Sequence, residues 1–182
     1  MAKTLIATQT ASASSSLSFT SGIDSTYGVY EFHFINMHPA TDHVNFTFQV
    51  NAVGQTGFNE TITSNSFEAY LREDNGNSAL TYRDSIDQSQ GTSYQPVTRD
   101  TSNDSDSSAS GILTLYAPSS TTYVKHFIVT THDMQHQDAY QAYARQTRVA
   151  GYINTTSAID EIDFKFDSGN IDAGTIKMFG VS

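Results

Sequence analysis

His132-Asp133-Met134-Gln135-His136, with His126 upstream, has the residue types for metal chemistry, since imidazole nitrogen and carboxylate oxygen are both good Zn ligands. The segment reads as a loop between strands, where a spacing of four does not set both rings on one face as a helix would. A plain hairpin loop is the expectation. Asp100, Asp104 and Asp106 offer the oxygen ligands of a calcium loop, but the mid-loop Gly and the closing bidentate Glu are missing. A solvated acidic loop is expected there. Asp160, Glu161 and Asp163 pair carboxylates as a glycosidase does. Their alternation with Ile162, Phe164 and Phe166 makes them instead the wet face of a strand. Tyr27, Tyr94, Tyr140, Tyr143 and Tyr152 could form a sugar- or partner-binding surface, each with an apolar ring and a polar tip. Most of them are expected to pack in or at the edge of the fold. Nucleophile-elbow, Walker and HExxH patterns are missing, and with no Cys there are no thiol nucleophiles, disulfides or thiolate metal sites. No catalytic, cofactor-binding or metal-ligating residue is assigned, and a non-enzymatic protein is the expectation.

The elements around these residues read as strands from end to end. Val44-Asn45-Phe46-Thr47-Phe48-Gln49-Val50 places four apolar residues on one face and amides with Thr on the other. Tyr30, Phe32 and Phe34 alternate in the same way. Residues 37–42 between these runs read as a loop, with Pro39 unable to continue a ladder, and a hairpin is the natural connection. Phe67–Leu71 and Ala79–Arg83 flank Asp74-Asn75-Gly76-Asn77 and predict another hairpin. A short strand is expected near residues 94–98, and residues 100–108 read as fully solvated because they hold nothing apolar to bury. Strands resume at residues 111–116, 123–131 and, on context rather than propensity, 140–152. Residues 159–167 and 174–181, joined by Ser168-Gly169-Asn170, read as a closing hairpin.

With no amphipathic helix and no internal repeat, the expected fold is all-β: a jelly-roll β-sandwich of about eight to ten antiparallel strands. Residues 1–16 read as a Ser/Thr-rich N-terminal strand or arm and residues 17–182 as a single jelly-roll domain. Charged residues make up only 15% of the 182, below the usual quarter or so, which leaves a polar but weakly ionic surface. The formal charge of −10 removes the phosphate-counterion drive for nucleic-acid binding. The opening apolar stretch breaks at Thr8-Gln9-Thr10, too early for a signal-peptide core, and no run approaches a membrane span. Synthesis in a cytoplasm without export is the expectation.

Four segments stand out: Ser78-Ala79-Leu80-Thr81-Tyr82, the run from Ser110 through Ala117-Pro118-Ser119-Ser120-Thr121-Thr122-Tyr123-Val124-Lys125-His126-Phe127, the run from Val149 to Asp160, and the closing Ser168 to Val181. Together they resemble the small jelly-roll virion proteins of tailed phages of marine bacteria. The resemblance covers the C-terminal three-fifths of the chain, while the N-terminal third agrees in strand pattern. It implies a particle component without catalytic or metal residues. The leading expectation is therefore a capsid decoration or cement protein on the outer surface of a virion, made in the bacterial host cytoplasm. Its partners would be other capsid or tail proteins and copies of itself, with a trimer as one form and residues 1–16 ordering against a neighbour. The alternative is a tail- or fibre-mounted module that binds a host surface glycan through residues 38–43, 100–108 and 132–138. No nucleic acid, membrane or cofactor is expected.

Overall fold

Ile162, Phe164 and Phe166 alternate with polar residues, and all three lie in the core. The computed structural model describes residues 2–136 and 141–182. Among the described residues there are twelve strands and no helix. They are β1 (Lys3–Ser14), β2 (Leu17–Phe19), β3 (Val29–Pro39), β4 (Phe46–Ala52), β5 (Ile62–Arg72) and β6 (Ser78–Tyr82). These are followed by β7 (Gln95–Pro96), β8 (Ala109–Tyr116), β9 (Lys125–His136), β10 (Ala142–Ile153), β11 (Ile159–Phe166) and β12 (Ile171–Val181).

Two antiparallel sheets hold them, in the orders β1-β12-β3-β8-β9-β10-β5-β6 and β2-β11-β4-β7. Within this arrangement β1 pairs with β12, β2 with β11, β3 with β8 and β4 with β7. Those four ribbons, rolled so that the chain alternates between sheets, give the eight-strand topology of a jelly roll. The remaining four strands are two hairpins. One, β5–β6, lies between β4 and β7 in sequence; the other, β9–β10, lies between β8 and β11. Both add to the large sheet beyond β8 and widen it to eight strands.

The all-β sandwich matches the sequence reading, with twelve strands among the described residues where eight to ten are expected, the excess being the two added hairpins, but two connections do not match. β3 and β4 were expected as a hairpin, yet they lie in different sheets, with β4 against β11 and β7. The closing pair behaves alike: β11 is in the small sheet and β12 in the large one, and they do not pair. Alternation reports which face is buried, not which strand lies alongside, so a corner and a hairpin look the same in sequence. Pro39 ends β3 opposite Ile171 rather than sitting in a loop. Positive φ at Asn36 accompanies the register irregularity that precedes it.

The core between the sheets is largely aromatic. Phe164 meets Phe19, Phe32, Phe34, Phe46 and Phe48 with ring centroids 5.3–6.4 Å apart. Edge-to-face and tilted geometries dominate, which suit the ring quadrupole. Gly151 of β10 is required by close approach. A Cβ there would stand 2.8 Å from Phe127 Cζ and would also strike the Thr63 carbonyl of β5.

Candidate functional site

β5 runs against the usual pattern: Ser66 and Glu68 are fully buried, whereas Phe67 and Leu71 face solvent. The cause is architectural. Beyond β8 the small sheet covers only one end of the extension, where Phe48 of β4 meets Phe127 of β9, and around Ser66 and Thr131 the segment between β6 and β8 lies over the inner face instead. That segment is polar and is held by hydrogen bonds. Arg83 N–H donates to Ser66 O, the Thr131 hydroxyl to Val97 O at 2.5 Å, and the Ser64 hydroxyl to Gln95 Oε1 at 2.7 Å. A polar cover selects polar partners, so the inner face of the extension carries charges where a core would carry Leu or Val.

Between sheet and cover lies a cavity of about 200 Å³. Three of the nine Lys and Arg residues line it, namely Arg83, Arg99 and Arg145. Glu68, with no solvent exposure, accepts through Oε1 from both Arg83 and Arg99, the latter at 3.2 Å. Arg99 also reaches Asp100 at 3.1 Å. Arg145 grips Asp133 side-on at 2.5 and 3.3 Å and donates to Gln135 Oε1 at 2.8 Å. Burial pushes the Asp133 carboxyl up to about 6, with Arg145 acting in the opposite direction. Tyr70 and Tyr143 complete the wall, their rings edge-to-face at 5.8 Å. Glu68 Oε2 and Arg83 Nε are buried without a hydrogen-bond partner among the described residues.

No family model, curated protein or solved structure matches this chain.

The residues singled out in the sequence are distributed differently. His132 to His136 form the end of β9 rather than a loop. Asp133 points inward to Arg145, His132 outward, and His136 Nδ1 lies 2.5 Å from Asp104 Oδ2. Asp104 is held below the usual carboxylate range by the Ser102 hydroxyl and by His136. Asp100 turns to Arg99, so the acidic trio is not brought together. Among the described residues, no three His, Asp or Glu side chains converge as a metal site would need. The stretch 100–108 is not fully solvated: Thr101 and Ser102 are buried, and Thr101 bridges Val44.

Asp163 is the clearest correction. Expected on a wet face, it is only 4% exposed and accepts from the Ser18 hydroxyl at 2.5 Å and the Tyr94 hydroxyl at 2.8 Å. Burial raises the Tyr94 phenol strongly, and the Asp163 carboxylate adds to the effect. Glu161 accepts from Asn51 at 2.7 Å, so the three acids of β11 do not form a catalytic pair facing a cleft. Of the five Tyr residues named, Tyr143 reaches the cavity, Tyr27 packs on Tyr30, and Tyr152 meets His126. Tyr140, the first residue of the strand expected over 140–152, and residues 137–138 of the expected loop lie outside the described residues.

Residues 38–43, 100–108 and the end of β9 do gather at one end of the molecule. Asn103 N–H donates to Asp42 Oδ1 at 3.2 Å, His38 Nδ1 meets Ser107 O at 2.7 Å, and His136 meets Asp104. Sequence reasoning missed Glu68, Tyr70, Arg83, Arg99 and Arg145. The one available signal was a charge at Glu68 inside an otherwise apolar strand, beside an unusual concentration of the few Arg residues in hairpin segments.

Proposed function

We propose that this protein is a non-enzymatic structural component on the outer surface of a phage virion, acting as a capsid decoration or cement protein. The observation that carries the reading is the outer face of the widened sheet. Leu80 and Tyr82 of β6 are 74% and 58% exposed, and Phe67 and Leu71 of β5 stand beside them at 41% and 46%. Register puts Phe67 opposite Tyr82, and Ala69 opposite Leu80, so these side chains form one apolar patch. The patch ends at β6, an open edge strand with unpaired backbone groups. Monomeric proteins seldom leave large side chains clustered in this way, and such patches mark contact surfaces. The occupants we assign are neighbouring copies of the chain and the capsid or tail proteins beneath. The C-terminal resemblance to jelly-roll virion proteins supports the same reading.

Leu80→Asp puts a charge in the patch without touching the core. The variant should keep the melting temperature of the parent, yet lose self-association in light scattering and incorporation into particles. Unchanged incorporation would remove the patch from the account. A receptor-binding module on a tail or fibre is the second reading, favoured by the cavity beside Glu68 and Tyr70.

A further inference from the structure

Four strands end the two sheets, β1 and β6 in the large one and β2 and β7 in the small one. An edge strand offers unpaired N–H and C=O groups to any chain that can lie alongside, and proteins usually guard it by shortness, charge, proline or a bulge. Three of these four edges are guarded. β2 has three residues and β7 two, the second of them Pro96. β1 starts on Lys3, carries a bulge between Leu5 and Ala7, and turns its Ser12 N–H to its own Ser14 Oγ at 3.2 Å. β6, Ser78-Ala79-Leu80-Thr81-Tyr82, has no charge, no Pro and an unbroken register with β5.

The direction of its free groups follows from the two ends of the hairpin. Arg72 N–H donates to Asn77 O, and Arg83 N–H donates to Ser66 O. Alternation then turns the N–H and C=O of Ala79 and Thr81 to β5, and those of Ser78, Leu80 and Tyr82 away from it. All three outward residues are exposed, Leu80 the most. The Tyr82 carbonyl accepts from the Thr81 hydroxyl at 3.2 Å, which leaves its second lone pair open.

A second copy of β6 fits this row. Turned antiparallel about Leu80, it sets Leu80 opposite Leu80, Ser78 opposite Tyr82 and Ala79 opposite Thr81. Each outward N–H of one copy then faces an outward carbonyl of the other. A strand without charge brings no like charges together, and the small Ser78 leaves room beside the Tyr82 ring. On the outer face, Phe67, Leu71, Leu80 and Tyr82 of the two copies run into one apolar surface. A two-fold axis closes the contact, so association stops at two and uses up the open edge.

We propose that two copies of this chain pair through β6, antiparallel about Leu80, to make one sheet continuous across a two-fold axis. The inference rests on the copy-to-copy contact proposed above and adds its geometry. Its test needs no particle, so it stands or falls apart from the virion location.

Sedimentation velocity of the full chain should show a monomer–dimer equilibrium. Ser78→Pro removes an outward N–H at the first residue of the strand, where Pro is tolerated. It should raise the dimer Kd by about tenfold or more, yet keep the parent melting temperature at concentrations where both chains are monomeric. The chain has no Cys, so a single introduced one reports proximity without background. Opposed residues of a hydrogen-bonded pair stand about 5.5 Å apart at Cα, within the roughly 4.4–6.8 Å that a disulfide spans. Leu80→Cys should therefore give a disulfide-linked dimer on mild oxidation, and Thr8→Cys in β1 should not. This comparison carries the test if Ser78→Pro does not fold. Three results would overturn the proposal: a monomer at every soluble concentration, a dimer that Leu80→Asp abolishes and Ser78→Pro leaves intact, or a disulfide at Thr8→Cys and none at Leu80→Cys. The second would mark face-to-face packing of the patch in place of edge pairing.

Discussion

Phe164 and Asp163 are adjacent in β11 and show how far single residues can be read. Phe164 is buried as its alternation requires, at the centre of five other rings. Phe164→Ala should cost roughly 3–5 kcal/mol. By alternation alone Asp163 is a surface residue and its removal nearly free. Its cover comes from Tyr94, 69 residues away in sequence, which no local pattern announces. Asp163→Ala should therefore cost about 1–3 kcal/mol, because it strands the Ser18 and Tyr94 hydroxyls. Chemical denaturation of both variants separates the two readings: a cost near zero for Asp163→Ala would return it to the surface. Asp133 gives a pH test at the same scale. Its folded value of about 6 lies above the roughly 3.9 of a free Asp. The folded state thus holds this proton more tightly than the unfolded state does. The stabilisation from this group is fully present below about pH 4 and is lost as pH rises through about 6. The Asp133 carboxyl carbon should titrate with a midpoint near 6 in NMR, whereas a midpoint below 4 would mean that Arg145 outweighs burial.

Elements were legible as strands and illegible as partners. The β5–β6 hairpin was read correctly because Asp74-Asn75-Gly76-Asn77 is turn chemistry, and Asn75 adopts the positive φ such a turn uses. Ser168-Gly169-Asn170 carries the same chemistry and Gly169 the same φ, yet it turns a corner between sheets. The residues of a tight turn do not say whether the next strand folds back or crosses. His132 to His136 depart from the sequence reading for another reason: their polar side chains resemble a loop, but they face a polar cover on one side and solvent on the other. The N-terminal segment also changes character. Lys3–Ser14, a strand or free arm in sequence terms, is β1 and pairs with β12 along its length. Ala11 is buried, and Ile6 and Ala7 pack on the core. Deleting residues 1–16 should lower the melting temperature by at least about 4 °C, the shift that about 1–2 kcal/mol produces in a domain of this size. An unchanged melting temperature would mark β1 as a detachable arm.

At the scale of the molecule, the roll and its extension divide the work. Eight strands close the jelly roll around the aromatic core, as the alternation of apolar residues led one to expect. The four added strands give the large sheet an inner face that encloses a polar cavity and an outer face that carries the patch at Leu80. Neither surface could be seen in the sequence, since both depend on where the extension leaves the cover of the small sheet. A site assembled from β5, β9, β10 and the segment over them has no local motif. The proposed role requires the protein to be present in the particle and reachable from outside. Quantitative mass spectrometry of gradient-purified particles, before and after surface proteolysis, tests this most directly. The account predicts many copies per particle, digested while the shell remains intact; particles free of this protein, beside abundant free protein in the lysate, would contradict it.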